Sequence, residues 1–139
     1  TPKGLERMKE TLSRLFEFER NIELILQSPF VRCQETGDLF REFYPKANFV
    51  TTDHLRPNHS CLDLFQEIQS HNLDSMAIIG HEPDLGQFIS WLLFRQASDH
   101  FPMKKGGIAK VDLFKDGRCY LKWLIRPKLF TPTLTPQSR

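Results

Sequence analysis

Ser28 and Arg32, four residues apart, stand where an apolar run gives way to an amphipathic one. The stretch reads Ser28-Pro29-Phe30-Val31-Arg32-Cys33-Gln34-Glu35-Thr36 and follows the apolar run Ile22 to Leu26. This pattern predicts a strand, a tight turn and a helix, with Arg32 in the first helical turn. A cation there opposes the helix dipole and calls for a compensating anion. In an open α/β sheet, ligands bind at the carboxyl edge of the strands. Free backbone N–H groups and a guanidinium fork both favour a phosphate at such a place. The plain alternative is a surface arginine at a helix start.

Met76-Ala77-Ile78-Ile79-Gly80-His81-Glu82-Pro83-Asp84-Leu85 repeats the strand, turn and helix pattern and brings His81 to the same edge. An imidazole there can donate to phosphoryl oxygens as charge builds. Otherwise His81 caps the following helix. Ser28 either hydrogen-bonds the arginine or the loop backbone, or is only the turn residue before Pro29. Glu82 either orients His81 or is an acid favoured by an early helical position. Gln34, Glu35 and Thr36 read as structural, with Thr36 packing the helix on the sheet.

The polar loop Asp53 to Ser60 reaches the same edge, and His59 or Arg56 could touch a substrate from it. Lys104, Lys105, Gly106 and Gly107 either line the rim or form a solvated pair of charges before a strand. His59-x-Cys61 supplies two metal-type ligands without a second pair, so no metal site is expected. His54, His71 and His100 read as surface residues.

The elements that must position these residues follow from periodicity. Thr1 can cap a helix with Pro2 at its first position, running to about Glu19. Ile22 to Gln27 is a buried strand, Phe30 to Tyr44 a helix stopped by Pro45, and Phe49 to Thr52 a short strand. Leu62 to His71 and Pro83 to Phe94 are helices flanking the strand Met76 to Gly80. Ile108 to Phe114 and Cys119 to Ile125 flank Asp116-Gly117, a strong hairpin signal. Alternation of Ile108, Lys110 and Asp112 with Ala109, Val111 and Leu113 suits an edge hairpin with one wet face. Prolines at 127, 132 and 136 predict an irregular tail, 127–139, after a domain spanning 1–126. The fold class is α/β: a three-layer sandwich with a mostly parallel sheet, helices on both faces and a C-terminal β-hairpin.

A chain of 139 residues with 26% charged and 40% hydrophobic residues is bounded to one globular domain. Its net charge of +2 is too small, and its basic residues too evenly spread, for a nucleic-acid partner. No run is long enough to cross a membrane. Cys33, Cys61 and Cys119, odd in number and far apart, read as reduced thiols of a cytoplasmic protein.

The order Ser28-Pro29-x-x-Arg32-x-x-x-Thr36, then a strand ending in Gly80-His81, resembles the histidine phosphatase superfamily, whose fold is phosphoglycerate mutase-like. Lys104-Lys105-Gly106-Gly107-Ile108-Ala109 is similar to the phosphohistidine phosphatase (SixA-type) branch, as is the opening Thr1-Pro2-Lys3-Gly4. The resemblance implies Arg32 and His81 as catalytic residues; Ser28 from its turn and His59 from its loop join Arg32 and His81 in the expected substrate-binding set. It implies no metal and no cofactor. The implied partner is a phosphoprotein of the histidine-containing phosphotransfer type, or else a small phosphate ester. The loop 53–60 holds no glutamate to serve as general acid, which suits the easily protonated nitrogen leaving group of phosphohistidine.

In that family the nucleophile is a histidine in an Arg-His-Gly motif on a first, central strand, and residues 1–139 contain no such motif. The expectation is therefore a strand supplied from outside these residues, or less simply a swapped one, because two strand edges would otherwise lie open. Two alternatives to a phosphohistidine phosphatase stay open: a small-molecule phosphomonoesterase of the same superfamily, and a non-catalytic domain that binds phosphate or a phosphoprotein.

Overall fold

The computed structural model describes residues 2–101, 103 and 107–125. Thr1 as a helix cap, Lys104, Lys105 and Gly106 at the rim, and the tail from 126 lie outside them.

Leu24-Ile25-Leu26-Gln27 forms strand β1 (Leu24–Gln27), buried along its whole length. Such a run belongs to a parallel strand covered on both faces. β1 pairs in parallel with β2 (Asn48–Thr51) on one side and β3 (Met76–Ile79) on the other. Side-chain alternation divides the core. Ile25 joins Leu12 and Leu15 of helix α1 (Pro2–Phe18) and Cys33, Leu39 and Phe40 of α2 (Val31–Phe43). Leu24 and Leu26 join Leu64, Phe65 and Ile68 of α3 (Cys61–His71) and Phe88 and Leu92 of α4 (Asp84–Phe94). Helices thus cover both faces, as a three-layer sandwich requires.

The strand order β2-β1-β3 fixes where a ligand can enter. From β1 the chain crosses through α2 to β2, and from β2 it crosses through α3 back over β1 to β3. α2 and α4, which leave β1 and β3, pack on opposite faces of the sheet, so the two connections diverge at the carboxyl ends of these strands, where open α/β sheets bind ligands in a crevice. Ser28 and His81 follow those two ends.

α2 lies close against β1. A Cβ on Gly37 would run into the Oε1 of the buried Gln27, so any side chain there would require the Gln27 amide to move. Gly37 and Cys33, rather than Thr36, face the sheet: both are buried, and the Thr36 hydroxyl donates instead to the Arg32 carbonyl at 3.2 Å.

β4 (Ile108–Leu113) and β5 (Cys119–Ile125) form the expected antiparallel hairpin, with Gly117 at φ +90° in its turn. A register irregularity falls between Lys110 and Val111. The alternation predicted for β4 is absent, since Ile108 to Asp112 are all half-buried; β5 alternates instead, with Tyr120, Lys122 and Leu124 exposed. Both faces of the hairpin have neighbours: Ile108 and Trp123 pack with the α1–α2 cluster, Val111 and Cys119 with the α3–α4 cluster. Among the described residues the hairpin and the parallel sheet are separate, and the outer edge of β3 carries no ladder. Met76, Ala77 and Ile78 are accordingly only half-buried, although helices cover both faces of the sheet.

Candidate functional site at the ends of β1 and β3

Two turns interlock at the crevice. The Ser28 N–H donates to the Ile79 carbonyl at 3.0 Å, so the two chains stay paired one residue beyond β1. That pairing buries Ser28 completely. Its hydroxyl lies 2.8 Å from His81 Nε2 and accepts the Phe30 N–H at 3.3 Å. The Gln34 amide donates to the Pro29 carbonyl at 3.1 Å and closes the first turn. Gly80 fits the second turn closely, since a Cβ there would stand 3.1 Å from Leu85 and 3.3 Å from Leu55.

The His81 ring is held on three sides. Ser28 bonds Nε2, Cys33 Sγ lies 3.7 Å from the same nitrogen, and the Phe30 ring stands edge-on at 5.0 Å. Cys33 donates its thiol proton to the Gly80 carbonyl at 3.4 Å. Burial pushes the Cys33 thiol above its usual value, and the Ser28 hydrogen bond pulls the other way without cancelling it. Cys33 is thus a neutral packing group.

Arg32 occupies the first turn of α2, exposed, and no hydrogen bond or ion pair among the described residues engages its guanidinium. Phe30, the residue that caps α2, provides no side-chain hydrogen bond to the helix start. A free guanidinium, an uncapped helix start and a fixed imidazole therefore share one edge. Together they can hold a tetrahedral anion and neutralise charge that grows on it.

The loop after β2 borders this edge but contributes differently than the sequence suggested. It opens with a short 3-10 helix, Asp53–Leu55, whose Leu55 is fully buried in the α3–α4 cluster. Arg56 stands 5.8 Å over the Phe30 ring and is ion-paired to Asp53 at 2.8 Å. His59 turns elsewhere: its ring packs on Phe88 at 6.2 Å, Nδ1 meets the Ser60 carbonyl, and Nε2 is buried without a partner among the described residues. It makes no contact with Ser28, Arg32 or His81. Among the described residues no three His, Cys, Asp or Glu side chains are grouped to hold a metal, so His59-x-Cys61 stays isolated.

Glu82 does not orient His81. Its carboxylate accepts the Gly86 N–H at 3.1 Å and the Met103 N–H at 3.0 Å, tying down the start of α4. Burial raises its pKa, the two backbone bonds counteract this, and the charges of Asp84 and Asp99 add to the rise.

Sequence reasoning missed two features. Phe30 and Cys33 were legible only as apolar helix positions, with nothing in their spacing to mark them as walls of the His81 pocket. Glu67, read as an ordinary residue of α3, accepts hydrogen bonds from Thr52 and from His54, the latter at 2.6 Å, and holds the loop. His54 lies on the surface as read, with its ring bonded to a carboxylate.

No protein-family model matches the chain. An uncharacterized protein of Picosynechococcus is 27% identical over 90% of this chain and 84% of its own length. Among solved structures, the protein histidine phosphatase SixA complexed with tungstate superposes with a TM-score of 0.73. It is 22% identical, over 88% of this chain and 81% of that one. A phosphoglycerate mutase from Plasmodium falciparum superposes with a TM-score of 0.69 at 15% identity, over all of this chain and 92% of that one. The chain has the fold of the histidine phosphatase superfamily, in the form shared by SixA and phosphoglycerate mutase. Among the described residues, no helix is long and apolar enough to cross a membrane.

Proposed function

We propose that the protein is a phosphohistidine phosphatase and that the β1–β3 crevice is its phosphate site. The observation that carries this reading is the pairing of a fixed imidazole, Ser28 to His81 at 2.8 Å, with the unengaged Arg32 at the topological switch point of a SixA-like fold. Arg32 clamps two non-bridging oxygens, and His81 donates to a third. The phosphoryl group passes from the substrate nitrogen to a histidine of the enzyme. The substrate N–P bond breaks as the enzyme N–P bond forms, and the leaving nitrogen takes a proton. Water then attacks phosphorus, releasing phosphate and restoring the histidine. Positioning and positive charge supply the acceleration.

Residues 1–139 contain no Arg-His-Gly motif, so in this reading the accepting histidine and a second arginine would come from elsewhere, beside the edge of β3 that carries no ladder among the described residues. The substrate in this reading is a cytoplasmic phosphoprotein of the histidine-containing phosphotransfer type.

The test is turnover by the full-length protein of a phosphohistidine-bearing phosphotransfer domain against p-nitrophenyl phosphate. Faster release from the phosphohistidine protein is expected, undiminished by EDTA. His81→Ala should lower turnover by a factor on the order of 100 while the protein stays folded. Preference for the small ester would move the reading to a phosphomonoesterase. Phosphate binding without turnover of either would move it to a binding domain.

A further inference from the structure

The hydrogens around Ser28 can be counted, and the count fixes the state of His81. Ser28 is wholly buried, so its hydroxyl proton must find a protein acceptor. One lone pair already receives the Phe30 N–H. Cys33 sends its own proton to the Gly80 carbonyl. Among the described residues the acceptor left for the Ser28 proton at good distance is His81 Nε2, at 2.8 Å. If the bond ran the other way, from Nε2–H to the hydroxyl, a buried O–H would be left facing only a thiol sulfur.

We infer that Ser28 is a positioning residue: its hydroxyl donates to His81 Nε2, holds the neutral ring as the Nδ1–H tautomer, and so aims Nδ1–H at the bound phosphate. Among the described residues Nδ1 has no oxygen or nitrogen partner, only Cys33 Sγ at 4.0 Å. A donor fixed in place without an acceptor is what an incoming oxyanion needs, since no reorganisation is required when charge arrives. The Phe30 ring and Cys33 restrict rotation of the imidazole, so the hydroxyl decides the tautomer rather than the ring's whole orientation. This assignment rests on the reading of the crevice as a phosphate site.

The experiment is long-range 1H–15N correlation on the 15N-labelled protein, which separates the two imidazole tautomers, followed by titration with inorganic phosphate. Neutral His81 should show a protonated Nδ1 and an accepting Nε2. Ser28→Ala should abolish that preference and weaken phosphate binding about 10-fold, as loss of one buried hydrogen bond to the site would. Ser28→Thr, which keeps the hydroxyl, should restore both. A wild-type ring protonated at Nε2, or an Nδ1–H tautomer that survives Ser28→Ala, would overturn the inference. The wild-type spectrum alone decides the first point even if the alanine variant does not fold. An Nδ1–H ring that phosphate leaves unperturbed would uphold the Ser28 bond and count against the phosphate reading instead.

Discussion

Helices α2 and α4 leave neighbouring strands at the same edge of the sheet, yet their first turns are built in opposite ways. α2 begins with Phe30, Val31 and Arg32, no side chain caps it, and no carboxylate lies in its first turn. α4 begins with Glu82 and Asp84, and both carboxylates are spent on backbone donors. Glu82 takes the N–H groups of Gly86 and Met103, and Asp84 takes that of Asn58 at 2.8 Å. One helix start thus carries two acids, one of which takes an N–H of its first turn while both tie down neighbouring backbone, and the other start has no acid and stands beside an arginine without a partner among the described residues. Two open starts would offer an anion two competing seats. Closing α4 leaves the α2 side as the place for negative charge, with His81 between the two.

The sharpest way to break this contrast is to remove the cation. Under the proposed function, Arg32→Ala should cut turnover of the full-length protein by a factor on the order of 100 or more. Its melting temperature should barely move, because the side chain is exposed and has no partner among the described residues. A loss of stability with turnover intact would reverse the assignment of Arg32.

That contrast also separates what could be read from the sequence from what could not. The strand–turn–helix runs at Ser28 and Gly80 were legible because an apolar run, a turn residue and a helical period follow in order. Arg32 and His81 stood out because charge at such an edge is costly without a ligand; the structure places one in the first turn of α2 and the other just after β3. The role of Glu82 was ambiguous, since an acid early in a helix suits both catalysis and capping. Only the position of Met103, 21 residues away, decides between them. The placement of His59 was hidden for a related reason. A loop's composition does not say which side chains turn outward, and Leu55 buried in the core rotates the loop so that Arg56 faces Phe30 and His59 faces Phe88. The alternation of β4 was legible as sequence but not as burial, because the hairpin has neighbours on both faces.

The second test works on the closed helix. Glu82→Ala leaves two N–H groups without their acceptor, one in the first turn of α4 and one at Met103. Each bond to a charged acceptor is worth about 1–3 kcal/mol, less where water can replace it. A loss of about 2 kcal/mol in denaturant unfolding is expected, on that basis, with phosphate affinity nearly unchanged. Arg32→Ala and Glu82→Ala should therefore have complementary effects, one on function and one on stability. A Glu82→Ala protein that is stable but no longer turns over substrate would return Glu82 to the proton-transfer role.

The smallest effect is a difference of sign with pH. Glu82 has a raised pKa, chiefly from burial, so the folded protein takes up its proton more readily than the unfolded chain. Between the usual value of 4.5 and the raised one, the folded state binds more protons, and this contribution to stability falls as pH rises. Glu67 behaves oppositely. Burial works against its charge, but hydrogen bonds from Thr52, His54 and His71 and the His54 charge outweigh it and lower the pKa. Its contribution is fully present above 4.5 and is lost as pH falls through the lowered value. Unfolding curves of Glu82→Gln and Glu67→Gln against the parent, taken across acidic pH, should therefore tilt in opposite directions. Glu67→Gln should lose its deficit as the solution becomes more acidic, while Glu82→Gln should gain on the parent as it becomes less so. Parallel tilts would mean that one of the two carboxylates is not held as its hydrogen bonds indicate. The loop pinned by Glu67 would be the first place to look, because His54, one of its partners, is about half exposed and the more easily replaced by water.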